Sequence, residues 1–143
     1  MKIRTDYVTN SSSSSFVIAY RNIPEIDDET LAKYPFLKNY GKLIEKMLMS
    51  EDGYDTTSGE VCKTKEDYDE YFVDNYGWKD LNTPEKIIED DPYLKDAYDN
   101  VIEYLEKGFN ILCKQIGYSD DYCMNMIECL AEDKDNFVIL EGE

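Results

Sequence analysis

The sequence predicts an α+β fold: a small mixed or antiparallel sheet of three to four strands packed against several helices. Three observations predict it. Short apolar runs rich in β-branched and aromatic residues, "FVIAY" at 16–20, "FNILCKQIGY" at 109–118 and "NFVILEG" at 136–142, stand towards the two ends of the chain. Apolar side chains at three- and four-residue steps fill the stretch between them, so helices are clustered in the middle rather than alternating with strands. The 143 residues, 42% hydrophobic and 13% aromatic, suffice for one domain over 1–143 that needs no disulfide or metal to hold it.

Each element has its own signal. Residues 2–8, "KIRTDYV", alternate Ile3, Thr5 and Tyr7 with Lys2, Arg4 and Asp6, the period of a half-buried strand. "TNSSSSS" follows as turn chemistry, a polar hairpin connection into the strand Phe16–Tyr20. Asp27 or Asp28 caps a helix that must kink or break at Pro35. The next helix sets Leu37, Tyr40, Ile44, Met47 and Leu48 on its packed side and stacks Lys38, Lys42 and Lys46 on another. "SEDGYDTTSGE" reads as a loop and "EVCK" as a short strand.

Thr64 caps a helix through Trp78, with Tyr68, Tyr71 and Phe72 on one side and Glu66, Asp67, Glu70 and Asp74 on the other. Thr83-Pro84 and Asp91-Pro92 each open a further helix with a cap and a first-turn proline. The second of these carries the stripe Leu94, Ala97, Tyr98, Val101, Ile102 and Leu105, and Gly108 stops it. After the strand at 109–118, Ser119 or Asp120 caps a helix striped by Cys123, Met126, Ile127 and Leu130. That helix permits a β-α-β crossover into the last strand.

Charge and missing residues exclude several functions. The chain carries 32 Asp and Glu against 15 Lys and Arg, a net charge of -17. Lys2, Arg4 and Arg21 against Asp6 give residues 1–21 a charge of +2, so the rest carries -19. Such a field repels nucleic acid and anionic lipid and attracts basic proteins, so neither direct nucleic-acid binding nor membrane binding is expected. Histidine is absent, which removes Ser-His-Asp and Cys-His catalysis. Neither G-x-x-x-x-G-K-[ST] nor G-x-G-x-x-G occurs. Cys62, Cys113, Cys123 and Cys129 form no C-x-x-C pair, so no zinc site and no other cofactor is expected. "EDKDNF", with Asp133, Asp135 and Asn136, and "SEDGYD", with Asp52 and Asp55, lack the spacing of a calcium loop. The absence of a secretion signal and of a membrane span points to a cytoplasmic chain with reduced thiols.

The partner-binding candidates are Glu66, Asp67, Glu70 and Asp74, together with Tyr71. On a helix these acids form rows about 6 Å apart, which with tyrosines nearby imitate the phosphate rows of a duplex. The expected partner is a basic protein surface, such as that of a nucleic-acid-binding protein. Against this stands the plainer interpretation of a solvated helix face. Ser11, Ser12, Ser13, Ser14 and Ser15 form a second candidate, an anion-binding or modification loop beside Lys2 and Arg4.

The segment Met1 to Phe16, "MKIRTDYVTNSSSSSF", resembles the starts of many uncharacterised small proteins of phages and Firmicutes, with Tyr7 where phenylalanine is more common. It covers about a tenth of the chain. The resemblance implies origin and not activity. The sequence therefore points to a non-enzymatic acidic binding protein of phage or mobile-element type, in its sharpest form a nucleic-acid mimic that inhibits a host nucleic-acid-binding or defence protein. The alternatives are a small enzyme or nucleotide- or anion-binding protein using carboxylates and the serine loop, and a structural component of a larger assembly. The oligomeric state is left open.

Overall fold

A computed structural model describes residues 13–49, 59–117 and 120–142. Its elements run β1 (Ser13–Tyr20), α1 (Asp28–Lys33), a 3-10 turn (Pro35–Asn39), α2 (Tyr40–Leu48), β2 (Glu60–Cys62), α3 (Lys65–Tyr76), α4 (Pro84–Asp90), a second 3-10 turn (Pro92–Leu94), α5 (Lys95–Glu106), β3 (Asn110–Gly117), α6 (Asp121–Leu130) and β4 (Phe137–Glu141). The four strands form one antiparallel sheet in the order β2-β3-β1-β4. The fold is α+β, as the sequence predicts.

β3 and β4 both run antiparallel to β1, so they are parallel to each other with β1 inserted between them. α6 connects them, which makes the end of the chain a split β-α-β unit. The β1–β4 register shifts between Val17 and Ile18, skipping Leu140, and this bulge bends the edge strand.

Strand alternation divides the core in two. Val17 and Ala19 of β1, with Ile111 and Cys113 of β3, pack under Tyr68 and Phe72 of α3, Ile87 of α4, and Tyr98 and Val101 of α5. Phe16, Ile18 and Tyr20, with Leu112 and Ile116, pack under Ile44 and Leu48 of α2 and Cys123 and Ile127 of α6. Both faces of the sheet are thus covered, which explains why β3 reads as a nearly continuous apolar run rather than as alternation.

Local chemistry sets the boundaries. α5 ends in a Schellman motif: Gly108, at φ +92°, donates to Leu105 O at 3.0 Å, and Phe109 N donates to Tyr104 O at 3.0 Å. The Tyr104 and Phe109 rings meet edge to face at 5.1 Å across it. Gly41 lets α2 approach Asn22, whose carbonyl accepts from Gly41 N at 2.7 Å. A Cβ at residue 41 would sit 2.9 Å from Asn22 Cα.

The structure corrects the serine run. Ser13, Ser14 and Ser15, expected in a connecting loop, are the first residues of β1 and pair with Gly117, Ile116 and Gln115. The ladder needs only backbone donors and acceptors, and serine supplies both. Ser14 is buried, while Ser15 is exposed. Ser11, Ser12, the strand expected at 2–8 and residues 50–58 of the loop expected at 50–60 lie outside the described residues, and Glu60 at the end of that loop opens β2. Two smaller corrections concern helices. Met47, expected on the packed side of α2, is exposed, and Asp91-Pro92 opens a 3-10 turn before α5 begins at Lys95.

Candidate functional site: the acidic helical layer

α3 starts from a reciprocal cap. Thr64 Oγ1 accepts from Asp67 N at 3.1 Å, and Asp67 Oδ2 accepts from Lys63 N at 3.0 Å and Thr64 N at 3.2 Å. These backbone donors, Lys63 first, hold the Asp67 carboxyl below the usual carboxylate range. Asp67 thus serves the helix start, a role its Thr-x-x-Asp spacing could have revealed.

The other predicted acids are placed differently. Glu66, Glu70 and Asp74 are exposed and follow one another at four-residue steps along α3. No lysine or arginine among the described residues lies within ion-pair distance of any of the three. Tyr71 turns inward instead. It is half-buried, stacks on Tyr68 at 5.7 Å and lies beside the buried Cys113. The structure therefore brings Glu66, Glu70 and Asp74 together in one exposed row and gives Asp67 and Tyr71 internal partners.

The row belongs to a wider layer. Residues 60–107 hold 15 Asp and Glu against 6 Lys, a net charge of -9. Four of those lysines are already committed to carboxylates: Lys65 to Asp69 at 2.7 Å, Lys95 to Asp99 at 2.5 Å, Lys107 to Glu103 at 3.1 Å and Lys63 to Glu45 at 3.4 Å. The surplus is fixed in place by an aromatic cluster beneath it. Phe72 lies 5.0 Å from Tyr98 and 4.9 Å from Tyr76, and Tyr68 lies 5.9 Å from Tyr98, so α3 and α5 are locked side by side.

Elsewhere the polar residues serve the fold. Asn136, buried in the turn between α6 and β4, accepts from Glu25 N and donates to Asp133 Oδ2 at 2.7 Å. Arg21 donates to Asp135 O at 2.9 Å and lies over the Phe109 ring at 4.3 Å. Tyr20 donates to Glu45 Oε2 at 2.7 Å. Among the described residues no three His, Cys, Asp or Glu side chains converge as a metal site, and no helix is long and apolar enough to cross a membrane. Asp52 and Asp55 lie outside the described residues.

No protein-family model, curated protein or solved structure matches the chain.

Proposed function

We propose that the chain is a non-enzymatic acidic binding protein whose α3–α5 layer docks on a basic protein surface. The observation that carries this reading is the exposed row Glu66, Glu70 and Asp74, without a cation partner among the described residues, on a layer of charge -9. Fixed carboxylates spaced about 6 Å apart along a helix offer a basic channel a regular line of negative charge, as a phosphate backbone does. In its sharpest form the protein is a nucleic-acid mimic of phage or mobile-element type. It competes with nucleic acid for a host nucleic-acid-binding or defence protein in the cytoplasm. Four free thiols suit a reducing compartment.

The test is co-purification from the native host, followed by association kinetics on the captured partner. Changing Glu66→Gln, Glu70→Gln and Asp74→Asn together should slow association and flatten its dependence on salt, while the fold is unchanged. Nucleic acid should displace the protein from the partner. Tight binding of the purified protein to DNA or RNA would overturn the reading, as would partner binding indifferent to salt and to the three changes.

A further inference from the structure

Five of the eight exposed large apolar side chains among the described residues, Ile23, Tyr34, Phe36, Leu43 and Met47, fall between residues 23 and 47. Leu43 and Met47 stand one turn apart on α2. Beside them a cleft of about 550 Å³ is lined by Lys42, Glu45, Lys46 and Met49. This face is apolar, and it is also basic. Residues 33–47 hold four lysines and one acid, Glu45, whose carboxylate is taken by Tyr20 and Lys63.

A chain with 32 acidic residues has carboxylates to spare, and Lys63, Lys65, Lys95 and Lys107 each have one. Lys38, Lys42 and Lys46 have none within ion-pair distance among the described residues. Their four-residue steps match those of Glu66, Glu70 and Asp74. The two rows are kept apart within one molecule, because α2 packs on the Ile18 and Tyr20 side of the sheet and α3 on the Val17 and Ala19 side.

We propose that the chain associates head to tail. α2 and the 3-10 turn before it, in one copy, dock on the α3 row of a second copy, with Phe36, Leu43 and Met47 closing the apolar part of the contact. The inference rests on the reading of the α3 row as a docking face and adds the surface that meets it. A second copy suits this face better than an anionic membrane, because it presents a fixed row of carboxylates at the same four-residue steps as the lysines, which a fluid lipid surface does not.

The test is charge-swap complementation, read by sedimentation at physiological ionic strength. One variant carries Lys38→Glu, Lys42→Glu and Lys46→Glu, the other Glu66→Lys, Glu70→Lys and Asp74→Lys. Each alone opposes like charges across the contact, so self-association should weaken roughly tenfold or more. This should hold for the second variant even though its net negative charge falls. An equimolar mixture should recover association, since each copy then offers an oppositely charged face to the other. All six positions are exposed, and circular dichroism checks the fold of both variants.

A wild-type protein that stays monomeric up to roughly 1 mM overturns the proposal without any variant. So does association that survives either swap, a mixture that fails to recover, or a lysine row that binds anionic vesicles while the protein remains monomeric. Capture on immobilised poly-lysine separates the two readings. The lysine-row variant keeps the α3 row, so it should still be captured after losing self-association. Wild-type protein that self-associates but ignores poly-lysine would overturn the proposed function alone.

Discussion

The hydroxyl of Tyr98 on α5 donates a hydrogen bond to Asp69 Oδ1 on α3, and Lys65 Nζ lies 2.7 Å from the other oxygen of the same carboxylate. Burial, then the neighbouring carboxylate, pushes the Tyr98 hydroxyl up to about 12. It therefore remains a donor at neutral pH. One phenol thus adds a polar tie to the ring contacts between the two helices that carry nine of the 15 acids of residues 60–107.

Replacing Tyr98 with Phe should keep the ring in the cluster and remove only this bond. The expected loss is about 0.5–1.5 kcal/mol, seen as a Tm lower by roughly 2–4 °C. Asp69 keeps Lys65, so no carboxylate is left without a partner. A Tyr98→Phe protein that melts with the wild type would show that the bond adds nothing to the joint between α3 and α5.

The packed face of α5 can be tested at two adjacent positions. Val101 is 1% exposed and sits among Tyr98, Phe72 and Ile111, whereas Ile102 is half-buried at the edge of the same cluster. Val101→Asp would bury a carboxylate without a partner and should cost on the order of 3–5 kcal/mol, enough to unfold much of the population at 37 °C. Ile102→Asp can turn its charge to water and should cost clearly less. Equal Tm values for the two variants would mean that the face is wrongly placed.

That face was legible in the sequence because a helix shows its burial every three or four residues. Tyr98 and Val101 stand out in this way, and so do Cys123 and Ile127 on α6. Caps were legible for the same local reason, as at Thr64 and Thr83. The start of β1 was not. A serine side chain says little about whether its backbone pairs, and the ladder from Ser13 is set by β3, about a hundred residues away. The candidate site divides likewise. The acids of α3 were visible as a periodic row. The loss of Asp67 to a cap was open to a local reading, whereas the inward turn of Tyr71 and the Tyr98–Asp69 joint depend on which elements become neighbours. So does the separation of the lysine row from the acids.

The thiols give a direct measure of the core. Cys62, Cys113 and Cys123 are buried and Cys129 is exposed. Burial, with help from nearby acids, pushes the Cys62 thiol up to about 12, and burial also raises Cys113. Neither forms a thiolate at neutral pH, so both are shielded and unreactive. Iodoacetamide at pH 7.5 should therefore label Cys129 alone, with the other three appearing only in denaturant. Mass spectrometry showing Cys62 or Cys113 modified as fast as Cys129 in the native protein would contradict the two-faced core.

Acid should loosen α3 from its first turn. The Asp67 carboxyl is held low chiefly by the Lys63 N–H, so its folded pKa lies below its unfolded value of roughly 4. The folded state then binds fewer protons than the unfolded state. The contribution of this carboxylate to stability is fully present above the unfolded pKa and is lost as pH falls through the folded one. Asp27, capping α1 through Thr30 N at 2.7 Å, is shifted in the same direction by the same cause. It is common to wild type and any Asp67 variant, so its effect cancels in their difference. Asp67→Asn removes the charge and offers the Lys63 and Thr64 donors a weaker acceptor. The variant should melt below the wild type at pH 7, and the gap should close as pH drops below about 4, where the wild-type carboxylate is itself becoming neutral. A gap that stays constant or widens between pH 7 and strong acid would show that charge at Asp67 does not hold the start of the helix that presents the acidic row.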